Sequence, residues 1–269
     1  MTESAPAKVN LVLRVGPREP DGLHSLASLF ASIDLADELT IEEADSDEVL
    51  CPGVDGENLA ARALAAFRAA GAELPPLRIT IEKRIPVAAG LGGGSADAAG
   101  VLRVANRMAP LGEPALAELA LGLGSDVPSQ LTPRHAIVSG TGEEVEPVDL
   151  PEMALVLVVQ ERGLATSDVY AELDRLRPAA PALEPQELHD LARMPLDRLA
   201  AALHNDLEPA ALSLRPELGE VLAELRDTGA LGARITGSGP TAFGVYRDRA
   251  AAEAAAARIP GSIVTGVRA

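Results

Sequence analysis

Residues 86–97 read Pro86-Val87-Ala88-Ala89-Gly90-Leu91-Gly92-Gly93-Gly94-Ser95-Ala96-Asp97. Four glycines fall within the five residues 90–94. Before them, Leu77–Ile85 alternates apolar and polar residues (Leu77, Ile79, Ile81), the pattern of a strand. After them, Ala98, Val101, Leu102, Ala105 and Met108 share one helical face, which predicts a helix over Ser95–Met108 with Ser95 as its cap. Glycine admits φ > 0 and lets a ligand approach the backbone closely. The helix start behind it offers N–H groups without intrahelical partners and the positive end of the helix dipole. Strand, glycine loop and helix N-terminus together make an anion site. The plain alternative is a flexible connection that binds nothing. Two familiar phosphate motifs fail on this stretch. A P-loop needs Lys-Ser/Thr after its last glycine, where this chain has Ser95-Ala96. The dinucleotide fingerprint counted from Gly90 needs glycine at its sixth position, where Ser95 stands.

Outward from the loop, Ala5–Val15 alternates as a strand (Val9, Leu11, Leu13, Val15) and Gly16–Gly22 reads as a turn. Leu23–Leu35 and Leu39–Glu43 are two further strand candidates. Asn58 is placed to cap a helix over Leu59–Ala70 that Gly71 ends. Pro114–Leu123 reads as a helix, and Ala136–Ser139 with Glu144–Val148 as a hairpin. Ala154–Gln160 is a short apolar strand, and a domain boundary falls near residue 150, before it. Composition shifts at Pro178–Pro185, which holds three prolines. Helices are expected over Ser167–Leu176, Pro185–Ala192, Leu196–Leu203 and Pro216–Thr228. A strand, a glycine turn at Gly237–Gly239, a strand over Ala242–Tyr246, a helix over Asp248–Arg258 and a strand over Ser262–Val267 follow. That order suggests an α+β fold.

Composition narrows the function classes. The 269-residue chain carries a net charge of −17, whereas nucleic-acid binders present basic surfaces, so no nucleic-acid partner is expected. Cys51 is the single cysteine, which excludes intrachain disulfides and cysteine zinc sites. The four histidines are scattered without ligand spacing, so no side chain is assigned to a metal. The N-terminus lacks a basic segment followed by an apolar run, and no stretch of about 18 apolar residues exists. A cytoplasmic protein without a membrane partner is therefore the expectation. Oligomeric state has no signature in the sequence. Aromatic residues are scarce, with three Phe, two Tyr and no Trp.

Pro86-x3-Gly90-Leu91-Gly92-x-Gly94-Ser95 resembles the central motif of the GHMP kinases, which wraps the triphosphate of ATP. Two more of that superfamily's signatures stand in the right order. Pro6-Ala7-Lys8-Val9-Asn10-Leu11 resembles the N-terminal motif, and Thr236-Gly237-Ser238-Gly239-Pro240-Thr241 resembles the C-terminal glycine loop. Asp21-Gly22-Leu23-His24, Leu123-Gly124-Ser125-Asp126-Val127-Pro128, Gly140-Thr141-Gly142-Glu143 and Asn205-Asp206-Leu207-Glu208 resemble blocks of its diphosphocytidyl-methylerythritol kinase branch. Leu23 stands where that branch has Tyr, and Ser129 where it has an aromatic residue.

The resemblance implies an α+β, two-domain GHMP kinase fold. Residues 1–150 form an N-terminal domain like ribosomal protein S5 domain 2, with the ATP phosphate loop, and 151–269 a ferredoxin-like C-terminal domain, with the site between them. It implies an ATP-dependent, Mg²⁺-assisted phosphorylation of a small-molecule alcohol. The acceptor implied is the 2-hydroxyl of 4-diphosphocytidyl-2-C-methyl-D-erythritol, in the non-mevalonate route to isoprenoid precursors. Kinases of homoserine or mevalonate, an inactive nucleotide-binding sensor and a nicotinamide-binding oxidoreductase are the alternatives.

By the same resemblance Pro86, Gly90, Leu91, Gly92, Gly93, Gly94, Ser95 and Ala96 hold the nucleotide. Lys8 supplies positive charge near the γ-phosphate and Asp126 takes or orients the acceptor's proton, the requirements of phosphoryl transfer. Asp126 also suits a turn or cap, because Ser-Asp-Val-Pro is turn chemistry. Asn10 bonds substrate near Lys8, Gly237, Ser238 and Gly239 let a backbone turn approach it, and His24 reads the cytosine edge. With Leu23 lacking a π-face, Tyr170 is expected to carry base stacking.

Overall fold

The computed structural model describes residues 1–19, 22–54, 56, 58–177 and 185–268. Asp21 of the histidine block and most of the proline-rich stretch at 178–185 lie outside these residues. The described chain forms two compact units, and the polypeptide passes between them more than once.

Unit 1 takes in Met1–Ala7, Leu35–Val87 and Gly92–Pro133. It contains the start of β1 (Thr2–Arg18), the end of β2 (His24–Glu43), β3 (Glu48–Leu50) and β4 (Leu77–Glu82). Its helices are α1 (Leu59–Ala69), α2 (Gly93–Met108), α3 (Glu113–Leu123) and α4 (Val127–Gln130). β4 runs antiparallel to β2, with Ile79 opposite Ile41 and Ile81 opposite Leu39, and β3 pairs parallel to β4. The alternation read in Leu77–Ile81 buries those side chains with Ala60, Ala63, Leu64 and Phe67 of α1 and Ala98, Val101, Leu102 and Ala105 of α2. Alanines at these positions let two helices pack closely against one sheet. Asn58 caps α1 as expected, its side chain accepting the Ala60 N–H at 2.8 Å.

Unit 2 takes in Lys8–Asp34, Ala88–Leu91 and the described chain from Arg134 onward. It contains the rest of β1, the first half of β2, β5 (Ala136–Gly140), β6 (Glu144–Pro147), β7 (Ala154–Val158), α5 (Thr166–Leu176), α6 (Gln186–Ala192) and α7 (Leu196–Ala201). β8 (His204–Asn205), α8 (Glu208–Leu214), α9 (Leu218–Asp227), β9 (Gly232–Ile235), β10 (Ala242–Tyr246), α10 (Arg249–Ala256) and β11 (Ile263–Gly266) complete it. β8 lies parallel to β1, with Val12 opposite His204, and β5 lies antiparallel to β2. β11, β7, β10 and β9 form an antiparallel sheet in that order. Its core packs Val156, Ile235 and Ala242 against Leu218, Leu222 and Leu225 of α9 and Ala252 and Ala255 of α10.

Three sequence readings are corrected. The two strand candidates at 23–43 form one strand, β2. Asp37, which breaks the apolar pattern, is buried within it and accepts the N–H groups of Arg84 (2.6 Å) and Ile85 (2.8 Å). A polar residue that looks like a loop therefore fastens the end of β4. Second, α2 begins at Gly93, with Gly92 in the left-handed region as its N-cap and no side-chain cap bond. Ser95 is inside the first turn, so it does not cap the helix. Third, β3, α4, β8 and α8 are elements that periodicity did not reveal, being short.

Candidate functional site

Gly90 and Gly92 take positive φ, 76° and 71°. A Cβ on Gly90 would lie 2.8 Å from the carbonyl oxygens of both Thr236 and Gly239, which are backbone atoms with nowhere to go. Gly90 is thus where the central glycine loop lies directly on the C-terminal one, and Ala88–Leu91 belongs to unit 2 with the C-terminal loop. Gly94 differs. Its φ is ordinary, and a Cβ there would meet no heavy atom within 4 Å. Glycine in a helix is destabilising by about 1 kcal/mol relative to alanine, so the fold has no use for it at Gly94.

Strand alternation puts Lys8 and Asn10 on the same face of β1. Lys8 is buried, and its Nζ donates to Asn10 Oδ1 at 2.8 Å and lies 4.6 Å from the centroid of the Phe30 ring. Its N–H donates to the Leu91 carbonyl at 3.0 Å, tying β1 to the glycine loop. Asn10 donates through Nδ2 to Ser28 Oγ (2.9 Å) and through its N–H to Thr236 Oγ1 (3.0 Å). The Thr236 hydroxyl donates back to Asn10 Oδ1 at 3.2 Å. Asn205 Nδ2 donates to the carbonyls of Ile235 (2.7 Å) and Gly237 (2.8 Å), holding the C-terminal loop. A Cβ on Gly237 would lie 3.4 Å from Gly90 O and 3.8 Å from Lys8 Nζ. Ser238 Oγ and Thr166 Oγ1, 3.1 Å apart, bring the start of α5 to the same loop. One buried lysine is therefore aimed by polar groups drawn from three stretches far apart in sequence. Such preorganised charge is what transfer of a phosphoryl group requires.

Asp126 belongs to unit 1, just before α4. Its carboxylate does not cap that helix, and Ser129 Oγ instead donates to the Asp126 carbonyl at 2.8 Å. The capping role that its sequence context allowed is not what this side chain does. Pro86 and Gly92–Ala96 belong to unit 1 as well.

Beside the start of α2, Lys83 Nζ bonds Asp37 Oδ2 and, at 2.8 Å, Asp97 Oδ2. A Cβ on Gly93 would come within 3.3 Å of that ammonium. Burial pulls Lys83 down, but attraction to Asp97 and Asp37 outweighs it and raises the group overall. Burial pushes the Asp97 carboxyl up to about 7 despite Lys83, since two carboxylates share one cation. Asp97 Oδ1 is buried without a hydrogen-bond partner. Below the ordinary carboxylate value, about 3.9, folded and unfolded chains both hold this proton. Between that value and about 7 the unfolded chain ionises first, so stability falls as pH rises. Asp97→Asn removes this slope. Its Tm relative to the wild type should climb by roughly 6–12 °C between pH 4.5 and pH 8, since each unit between the two values is worth about 1.4 kcal/mol and 1 kcal/mol moves the Tm of such a chain by roughly 2–4 °C. A constant difference in thermal melts across that range would mean that Asp97 titrates as an ordinary acid.

His24 and Tyr170 meet in unit 2 with ring centroids 5.3 Å apart and planes inclined by 32°. His24 Nδ1 lies 3.1 Å from the Gly16 carbonyl oxygen, and Nε2 lies 3.2 Å from Asp174 Oδ1. Leu23 beside it is 55% exposed, so the position that carries Tyr in the resembling branch contributes little packing.

Thr236 and Asn205 stood within motifs already quoted, but nothing local marked their side chains as parts of the lysine network. Ser28, Lys83 and Asp174 carried no local signal at all, because their partners are distant in sequence.

Comparison with known proteins follows the same lines. The family model for the GHMP kinases N terminal domain matches residues 58–133, and that for GHMP kinases C terminal matches residues 188–263. A 4-diphosphocytidyl-2-C-methyl-D-erythritol kinase of Streptomyces avermitilis is 42% identical over 95% of this chain and 91% of its own length. The protein of the same name from Thermobifida fusca is 42% identical over 100% of this chain and 95% of its own. Among solved structures, the crystal structure of a 4-(cytidine 5'-diphospho)-2C-methyl-D-erythritol kinase superposes with a TM-score of 0.83 at 37% identity, each chain covered fully (100%). A homoserine kinase from Cytophaga hutchinsonii shares the fold at 21% identity, with a TM-score of 0.71, covering 99% of this chain and 94% of its own.

Proposed function

This chain belongs to the 4-diphosphocytidyl-2-C-methyl-D-erythritol kinases, a branch of the GHMP kinases with their α+β fold, and from that premise we propose how its residues divide the work. It is an ATP-dependent phosphotransferase with an alcohol acceptor, and the acceptor is 4-diphosphocytidyl-2-C-methyl-D-erythritol, phosphorylated at its 2-hydroxyl in isoprenoid precursor synthesis. The homoserine and mevalonate alternatives share only the fold, at 21% identity or less. The observation that carries the assignment of roles is the buried Lys8, held by Asn10 and backed by Phe30, where the central and C-terminal glycine loops touch.

In this reading the glycine loop from Pro86 through Ala96 takes the triphosphate on its backbone N–H groups and on the start of α2. Ser95, inside the first turn, offers its hydroxyl to phosphate or to Mg²⁺. Lys8 stabilises the charge of the moving phosphoryl group, and Asp126 orients the acceptor hydroxyl and receives its proton. Asn10 and the Gly237–Gly239 turn hold the acceptor, while Tyr170 and His24 hold the cytosine. Among the described residues no cluster of three His, Cys, Asp or Glu side chains forms a cage for a metal. Mg²⁺ usually keeps several waters and binds through one or two carboxylates plus substrate phosphates, so it fits this chain as a companion of the nucleotide. It would neutralise triphosphate charge that otherwise repels the acceptor oxygen. Residues 1–150 and 151–269 are retained as the two family domains, one family model falling on each side of residue 150. No helix among the described residues is long and apolar enough to cross a membrane, and we place the enzyme in the cytoplasm.

The test is a coupled ADP-release assay over a panel of alcohols with Mg·ATP. Release should require the cytidine-diphosphate-linked methylerythritol and be absent with homoserine or mevalonate. Equal turnover of homoserine would overturn the substrate assignment.

A further inference from the structure

The Asp174 carboxylate stands against a ring that the proposed reading assigns to the cytosine. Asp174 follows Tyr170 by four residues on α5, so both project from the same helix face. Both side chains reach His24, Tyr170 by its ring and Asp174 by a carboxylate oxygen 3.2 Å from Nε2. The helix that carries them is fastened at both ends. At its start Thr166 Oγ1 lies 3.1 Å from Ser238 Oγ. Just past its end Arg177 donates to the Val15 carbonyl (2.6 Å) and to Asp206 Oδ2 (3.1 Å). Burial raises the Asp206 carboxyl, but the bonds from His204 and the Val15 N–H and the charge of Arg177 bring it down to about 2, so that anchor stays ionised. The helix that carries Tyr170 and Asp174 is therefore held by the frame of unit 2.

The acceptor that Asp174 offers suits one base. The Gly16 carbonyl beside Nδ1 and the Asp174 carboxylate beside Nε2 are both acceptors. The Asp174 carboxylate thus presents an acceptor at the Nε2 edge of the ring. Cytosine carries the complement on its pairing edge, the donor amino group at C4, with the acceptor N3 next to it. Uracil carries the reverse, a donor at N3 beside an acceptor at O4. Carboxylates are recurrent readers of the cytosine amino group for this reason. A carboxylate has two oxygens and several lone pairs, so Asp174 can accept from a base while keeping His24. Its side chain is 41% exposed against 8% for His24, so one face of the carboxylate is open to a ligand.

We propose that Asp174 is a specificity-determining residue of this kinase. It accepts a hydrogen bond from the 4-amino group of the cytosine and rejects uracil. This rests on the reading of His24 and Tyr170 as the nucleobase site. A site built to hydrogen-bond one group discriminates strongly against an analogue that lacks it, because its own polar groups are left without partners.

The experiment compares kcat/KM for the cytidine-diphosphate- and uridine-diphosphate-linked methylerythritol, in wild type, Asp174→Asn, Asp174→Ala and Tyr170→Ala. The wild type should favour cytidine. Asp174→Ala should lower that preference about tenfold. Asp174→Asn should lower it further, because an amide offers uracil O4 a donor. KM for ATP should stay unchanged in both, which a general structural role for Asp174 would not produce. Tyr170→Ala removes stacking, which is indifferent to the base edge, and should raise KM about tenfold for both substrates without changing their ratio. If Tyr170→Ala raises both KM values while the Asp174 variants keep the wild-type preference, the proposal for Asp174 fails and the base site stands. If Tyr170→Ala leaves both KM values unchanged in a folded protein, the base is not held at His24, Tyr170 and Asp174 and the underlying reading fails as well.

Discussion

Asp126→Asn is expected to lower kcat by roughly 10²–10⁴-fold while KM for ATP stays near the wild-type value, the range typical of a positioned acid–base group. The substitution keeps the shape of the side chain and removes only its charge and its ability to take a proton. The carboxylate does not cap α4, and the Ser129 hydroxyl bond goes to the Asp126 backbone carbonyl, which asparagine retains. Thermal melting alongside the kinetics separates a loss of catalysis from a loss of stability. Lys8→Met should also cut kcat heavily, but by a different route. It removes the ammonium that Asn10 and Phe30 hold and leaves Asn10 Oδ1 with the Thr236 hydroxyl. Single-turnover kinetics separates these effects from product release. An Asp126→Asn enzyme with near-normal kcat would remove Asp126 from the chemistry and leave it a turn residue.

Two alanine substitutions in the glycine loop should have opposite signatures. Gly90→Ala forces a Cβ to 2.8 Å from two backbone carbonyl oxygens at a φ of 76°. Overpacking is typically destabilising by 1–3 kcal/mol, and the left-handed conformation adds about 1–2 kcal/mol for a residue with a Cβ. Loss of about 2–5 kcal/mol, seen as a Tm lower by roughly 5–15 °C, is the expected result. Gly94→Ala meets no heavy atom within 4 Å and improves helix propensity in α2, so its Tm should hold or rise slightly. Its nucleotide affinity, by calorimetry, should nevertheless fall about tenfold, because the new methyl group occupies space that the triphosphate needs. Unchanged affinity in Gly94→Ala would mean that the start of α2 does not hold phosphate. An unchanged Tm in Gly90→Ala would mean that the two glycine loops do not touch as described.

Much of this was legible in the residues. Local apolar patterning yields α1 with its Asn58 cap, α2, α3, β4 and β10 close to their observed bounds. The strand–glycine–helix order makes residues 86–97 a candidate anion site before any fold is known, since backbone N–H groups and the helix dipole are local properties. The order of three glycine- and lysine-bearing motifs carries the family resemblance, which the relatives at 42% identity bear out.

Tertiary structure decided the rest. Sequence could not show that the chain interleaves its two units, with β1 and β2 each contributing residues to both. Nor could it show that Asp37 sits inside an unbroken strand, because a buried carboxylate is tolerable only when distant N–H groups and Lys83 satisfy it. Lys8 is named by its motif, but its orientation comes from Thr236 and Phe30. Asp174 is one acidic residue among many along α5 and α9 until folding sets it 3.2 Å from a histidine 150 positions earlier. Backbone conformation and apolar patterning are written locally and can be read locally. Charge acquires a role only through the groups that desolvate and face it, and those come from anywhere in the chain.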